Sequence, residues 1–144
     1  MSAAWIRSPN LSERDIADYC DAFATALGWR IERYEQTRAT RITEGLPDRR
    51  YVGHSGWRVW VELKKPGGKL TQEQHAWLLS ELDAGGLAVV VDNVAVLKEV
   101  FSRWVKLYGQ PGAIAYCREV VTLTAARGFR GKRVERTTSS RRQA

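Results

Sequence analysis

Cysteine is scarce. Cys20 and Cys117 are the only two, they have no CxxC spacing, and neither has a histidine at metal-ligand spacing. A disulfide framework and a zinc site are therefore not expected, and a reducing cytoplasm is the default compartment. Long apolar runs are also missing. The longest, Gly86-Leu-Ala-Val-Val-Val91, is far too short to cross a bilayer. No basic segment followed by an apolar stretch opens the sequence, so no secretory leader is expected. No internal repeat is visible. Acidic residues are nearly absent from residues 127–144, where Glu135 stands alone against seven Lys or Arg.

What is present is enough for one folded domain. The chain has 144 residues, 44% of them hydrophobic, and six Trp, which excludes wholesale disorder. The formal net charge is +7, yet residues 1–126 hold sixteen basic against fifteen acidic residues. The expectation is a nearly neutral domain over residues 1–126 and a basic, flexible tail over residues 127–144. Such a block suits a polyanionic partner, most simply nucleic acid. The competing reading is a solubilising tail.

Ser12 offers a helix N-cap with Asp15 three residues on, and Ile16, Cys20, Phe23 and Leu27 follow at helical spacing before Gly28. A helix is expected over residues 12–27. Residues 29–35 alternate apolar and charged side chains and read as a strand. Residues 36–46 read as a loop, and residues 49–64 as a hairpin turning at His54-Ser-Gly56. Thr71 begins a second helix, with Gln74 placed for a capping box and Ala76, Trp77, Leu78, Leu79 and Leu82 as its buried stripe. Residues 87–91 read as a strand buried on both faces. A helix over residues 94–108 follows, with Val94, Leu97, Val100, Phe101, Trp104 and Val105 inward, broken by Pro111-Gly112. Residues 113–126 fit helix or strand. The fold class is α/β, a small mixed sheet flanked by helices.

Strand side chains alternate, so Val59, Val61 and Leu63 take one face and Trp60, Glu62 and Lys64 the other. Successive same-face residues lie roughly 7 Å apart along the strand. Asp48 opens the preceding strand and can reach Glu62. Two carboxylates and a lysine at a sheet edge suit a hard divalent ion, which takes one or two carboxylates plus waters and substrate phosphate. Such an ion polarises a phosphodiester and generates hydroxide, while a lysine orients the water or offsets phosphate charge. Glu13 lies on or beside the buried stripe of the first helix, where a carboxylate needs a cation.

Gly45-Leu-Pro-Asp48, Glu62-Leu-Lys64 and Gly68-Lys-Leu-Thr-Gln-Glu-Gln74 together resemble the VRR-NUC family of the PD-(D/E)XK nuclease superfamily. The resemblance covers about residues 12–97. It implies a restriction-endonuclease-like PD-(D/E)XK core and a Mg²⁺- or Mn²⁺-dependent DNA endonuclease. Asp48, Glu62 and Glu13 would hold the metal, Lys64 would be the catalytic lysine, and Gln74 would stand beside the site. Small members resemble Holliday junction resolvases, which implies branched DNA as substrate and a homodimer with one site per strand.

Each residue also has a plainer reading. Asp48 can be a turn residue after Pro47, Glu62 and Lys64 a solvated ion pair, Glu13 a helix-dipole partner, and Gln74 only a cap. Lys65, Lys69, Arg130, Lys132 and Arg133 are candidate nucleic-acid contacts or simple surface charge, and Gln36, Arg38 and Arg41 are weaker candidates. His54 and His75 read as incidental. Rival functions are a non-selective nickase or restriction-like nuclease on duplex DNA, a non-catalytic DNA-binding module, and an adaptor whose tail binds other acidic partners. If the tail binds phosphate, deleting residues 127–144 lowers DNA affinity and flattens its salt dependence. Binding titrations across a salt series check this, and an unchanged slope removes the tail as a contact.

Overall fold

The computed structural model describes residues 10–34, 44–106 and 110–131. Local chemistry sets the helix starts. Ser12 caps α1 (Glu13–Ala26), accepting from Asp15 N while the Asp15 carboxylate accepts from Ser12 N. Thr71 and Gln74 make the same reciprocal pair at the start of α2 (Gln72–Asp83). Between these helices lie β1 (Arg30–Arg33), β2 (Arg49–Val52) and β3 (Arg58–Leu63). The chain then continues through β4 (Ala88–Val91), α3 (Val94–Lys106) and α4 (Gln110–Ala125). The segment that fitted either helix or strand is thus helical. Pro111 sits in the first turn of α4, where a missing N–H costs no intrahelical bond, so it starts this helix rather than simply breaking the one before.

The four strands form one mixed sheet in the order β1-β2-β3-β4. The first three pair antiparallel, with Ile31 opposite Tyr51 and Tyr51 opposite Val59. β4 joins β3 in parallel, with Glu62 beside Val90, and α2 makes the crossover that parallel pairing demands. Every residue of β4 is buried. α4 packs on β4, α2 and α3, so helices cover what would otherwise be an open sheet edge.

The face carrying Tyr51, Val59, Val61 and Leu63 meets α1 and α3. Tyr51 Oη donates to Asp21 of α1 at 2.7 Å. Trp29, Trp57 and Phe101 stack edge-on or tilted, with centroids 5.0–5.4 Å apart, and Trp104 joins Trp57 at 5.4 Å. Such pairs add about 0.5–1.5 kcal/mol each beyond their buried area. On the opposite face Trp60 packs against Trp77 of α2.

Three apolar residues expected inside lie outside. Leu27 is the C-cap of α1 and has left the helical stripe, which Ile16, Ala17, Cys20 and Ala24 form instead. Val105 is exposed in the last turn of α3, while Val94, Leu97 and Val100 form its buried line. Ala76 is exposed because α2 buries only Leu78 and Leu82 fully. Among the described residues, no helix is long and apolar enough to cross a membrane. Truncating the fully buried Trp57 to Ala is expected to lower stability by about 3–5 kcal/mol. Val105→Ala should stay within about 0.5 kcal/mol. Urea denaturation of both variants checks the assignment.

Candidate active site

The C-terminal end of β3 carries Glu62, and the residue just past it, Lys64, into the protein. Each is only 3% exposed, so a solvated strand face is excluded. Lys64 Nζ lies 3.6 Å from Glu62 Oε2. The same oxygen accepts from Gln74 Nε2 at 3.1 Å. Gln74 therefore does two jobs: its Oε1 accepts from Thr71 N, closing the α2 cap, and its amide nitrogen holds Glu62. The other carboxylate oxygen, Glu62 Oε1, is sealed from solvent and receives no hydrogen bond from the described residues. Burial raises the Glu62 pKa well above the ordinary carboxylate value, and the neighbouring Asp48 charge raises it further against the pull of Lys64.

Asp48 is placed by backbone. Its Oδ2 accepts from Leu63 N at 2.9 Å, and its carbonyl accepts from Tyr34 N at 2.9 Å. The carboxylate thus extends the β2–β3 ladder one step beyond Arg49↔Val61 and comes against Glu62. The residues before it explain the Gly-x-Pro-Asp spacing. Pro47 is buried, and Gly45 has φ +85°, with its backbone against the Glu73 carbonyl where a β-carbon would overlap. Only glycine lets this turn lie so close to the first turn of α2.

Glu13 is not buried in the apolar stripe as its spacing suggested. As the first residue of α1 it is exposed, and its carboxyl group faces a cleft of about 520 Å³ also lined by Asp48 and Leu63. Partial burial, then the Asp48 charge, raise its pKa, while Lys64 and Arg130 lower it. A second cleft of about 350 Å³, lined by Tyr34, Thr71 and Gln74, also reaches Asp48, which stands between the two. Lys65, Lys69 and Arg130 are exposed beside the site. Gln36, Arg38, Arg41, Lys132 and Arg133 lie outside the described residues. His54 is exposed in the hairpin turn, and His75 packs on Phe129 at 5.3 Å.

Two clusters escaped the sequence reading. Asp21 accepts from Arg33, Arg49 and Tyr51. Burial pushes its pKa up, but the bonds from Arg49 and Tyr51 bring it below the ordinary value. The period-two register placing Arg49 and Tyr51 on the face of Val61 and Val59 was the available signal. Around Trp60, Tyr34 and Trp77 stack at 5.3 and 5.1 Å, and the Arg50 guanidinium lies 5.2 Å over its ring.

The donor set fits a hard divalent cation. Glu62 Oε1 has no hydrogen-bond donor among the described residues, Asp48 adds negative charge against it, and Glu13 adds more through space. Among the described residues no group of three His, Cys, Asp or Glu forms a ready cage, and Mg²⁺ commonly takes only one or two carboxylates. Comparison with protein-family models, curated proteins and solved structures finds no match.

With its folded pKa raised, Glu62 contributes stability fully below its unfolded pKa of about 4.5, and loses it as pH rises through the folded value. In EDTA, Glu62→Gln should therefore gain stability over wild type between about pH 5 and pH 8. Mg²⁺ should narrow that gap by stabilising wild type. Urea melts at both ends of this range, with and without Mg²⁺, read the effect.

Proposed function

We propose that the protein is a metal-dependent DNA endonuclease with a PD-(D/E)XK-type core of the VRR-NUC kind. The observation that carries this reading is the buried Glu62–Lys64 pair, held by Gln74 and faced by Asp48, which itself lines both clefts. A structural ion pair does not need the added carboxylate, which raises the cost of burying Glu62. The order of one helix, three antiparallel strands, a crossover helix and a parallel strand supports the same core.

Asp48 and Glu62, with Glu13 beside them, would hold Mg²⁺ or Mn²⁺, which polarises the phosphodiester and lowers the pKa of water. Lys64 Nζ is placed to orient the attacking water or to offset charge growing on the phosphate. Gln74 keeps the Glu62 carboxylate in one orientation. Thr71 Oγ1 is committed to the α2 cap, and burial pushes the Cys20 and Cys117 thiols up to about 12. The proposed nucleophile is water, attacking in line without a covalent enzyme intermediate. Lys65, Lys69 and Arg130 supply positive charge for the backbone. Branched DNA such as a four-way junction is the proposed substrate, cut by a homodimer with one site per strand.

The test compares a four-way junction, a duplex and a single strand in Mg²⁺, Mn²⁺ or EDTA. Wild type should cut the junction best and only with metal. Asp48→Ala and Lys64→Ala should each lose about 10²- to 10³-fold in rate. Equal cutting of all substrates removes junction preference. Metal-independent binding without cutting by wild type favours the binding module.

A further inference from the structure

The first residues of the basic C-terminal segment dock onto the protein at three points. Arg127 Nη1 donates to Gly68 O and to Asp92 Oδ2, both at 3.1 Å. Arg130 N donates to Leu70 O at 2.8 Å. Phe129 lies against His75 in the first turn of α2. Asp92 Oδ2 also accepts from Gly67 N at 3.2 Å, so one carboxylate and one guanidinium fasten the loop from both sides.

This loop packs on Lys64 and leads into the cap residue that holds Glu62. Gly68 packs so closely that a β-carbon there would stand 3.0 Å from Lys64 Cβ. Leu70 is fully buried, and the next residue, Thr71, closes the cap with Gln74, which holds Glu62. The route from Arg127 to Glu62 and Lys64 is thus continuous: Arg127 to Gly68, Gly68 to Lys64, and through Leu70 and Thr71 to Gln74.

We infer that Arg127 is a positioning residue for the Glu62–Lys64 pair, acting through the 67–71 loop rather than as one more phosphate contact. This rests on the endonuclease reading for its kinetic meaning, but the geometry stands without it. Arg130 differs in kind. Its link to the loop is made by backbone N–H, so its main chain holds Leu70 while its exposed side chain lies within electrostatic reach of Glu13. Residues 127–131 are a strap, in which the two arginines have separable roles.

The experiment uses the full chain with Arg127→Ala, Arg127→Lys and Arg130→Ala, and Asp92→Asn to weaken the same clamp from the other side. Melting curves first establish that each is folded; the Arg127 side chain is 37% exposed, so its removal leaves the core intact. Amide hydrogen exchange at residues 70–74 is read without DNA or metal. Arg127→Ala and Asp92→Asn should speed exchange at Thr71 and Gln74, Arg127→Lys should partly restore protection, and Arg130→Ala should leave it unchanged. Junction cleavage is then measured. Arg127→Ala should lower kcat about 10- to 100-fold, the range for partners that orient a metal ligand, with KM kept. Arg130→Ala should raise KM.

Unchanged exchange in Arg127→Ala overturns the inference, as does a raised KM with kcat kept. Equal kinetic losses in the two arginine variants with equal exchange also overturn it, since a diffuse polycation would behave that way. If wild type cuts no DNA, the endonuclease reading falls, and the exchange data alone decide whether Arg127 positions Gln74.

Discussion

Glu62 and Lys64 are taken out of water on the last turns of a strand whose other face is core. Burying such charges costs several kcal/mol per ion unless partners restore what water gave. Much of the surrounding architecture answers that constraint. The parallel β4 covers one side of β3, the α2 cap delivers a glutamine amide to Glu62, and the Gly68 loop closes over Lys64. Among the described residues the compensation is incomplete at Glu62 Oε1, and Asp48 makes the imbalance larger. A site that remains electrostatically unsatisfied in this way is suited to a cation, whereas a purely structural pair would be expected to have closed the gap.

The two clefts give the imbalance a location. Both open beside Asp48, one along α1 toward Asp21 and Arg49, the other toward Tyr34 and the start of α2. Asp48 has no freedom to turn away, since its side chain serves as a ladder acceptor for Leu63. Its position is therefore set by sheet register, which is among the stiffest determinants a fold has. Arg49, the first residue of β2, is held by Asp21, so it and the preceding Asp48 hold opposite charges on separate supports.

Much of this was legible in the sequence. Period-two alternation gave the faces of β3, and the two capping boxes followed from Ser12-x-x-Asp15 and Thr71-x-x-Gln74. Asp48, Glu62 and Lys64 were singled out from spacing and Gln74 as a cap that the family resemblance sets beside the site, and the fold brings them together. Other features were not legible because they depend on what packs against an element. Glu13 shares a helical face with Ile16, yet the first turn projects past the core and leaves it exposed. The composition of residues 113–126 fits a buried strand as readily as the helix that α4 forms. Residues 127–131 read as polycation because charge is local information, whereas the bond from Arg130 N to Leu70 O is tertiary.

The bond from Arg127 to the Gly68 carbonyl joins parts of the chain made at different times. Arg127 and Gly68 are 59 residues apart. At translation rates of about 5–20 residues per second, the loop over Lys64 emerges roughly 3–12 s before its fastener. Through that interval β3 and α2 can form, but nothing from the C-terminal side holds Gly68 or Leu70 in place. The order of synthesis thus makes completion of the charged pocket a late event, after the sheet that supports it.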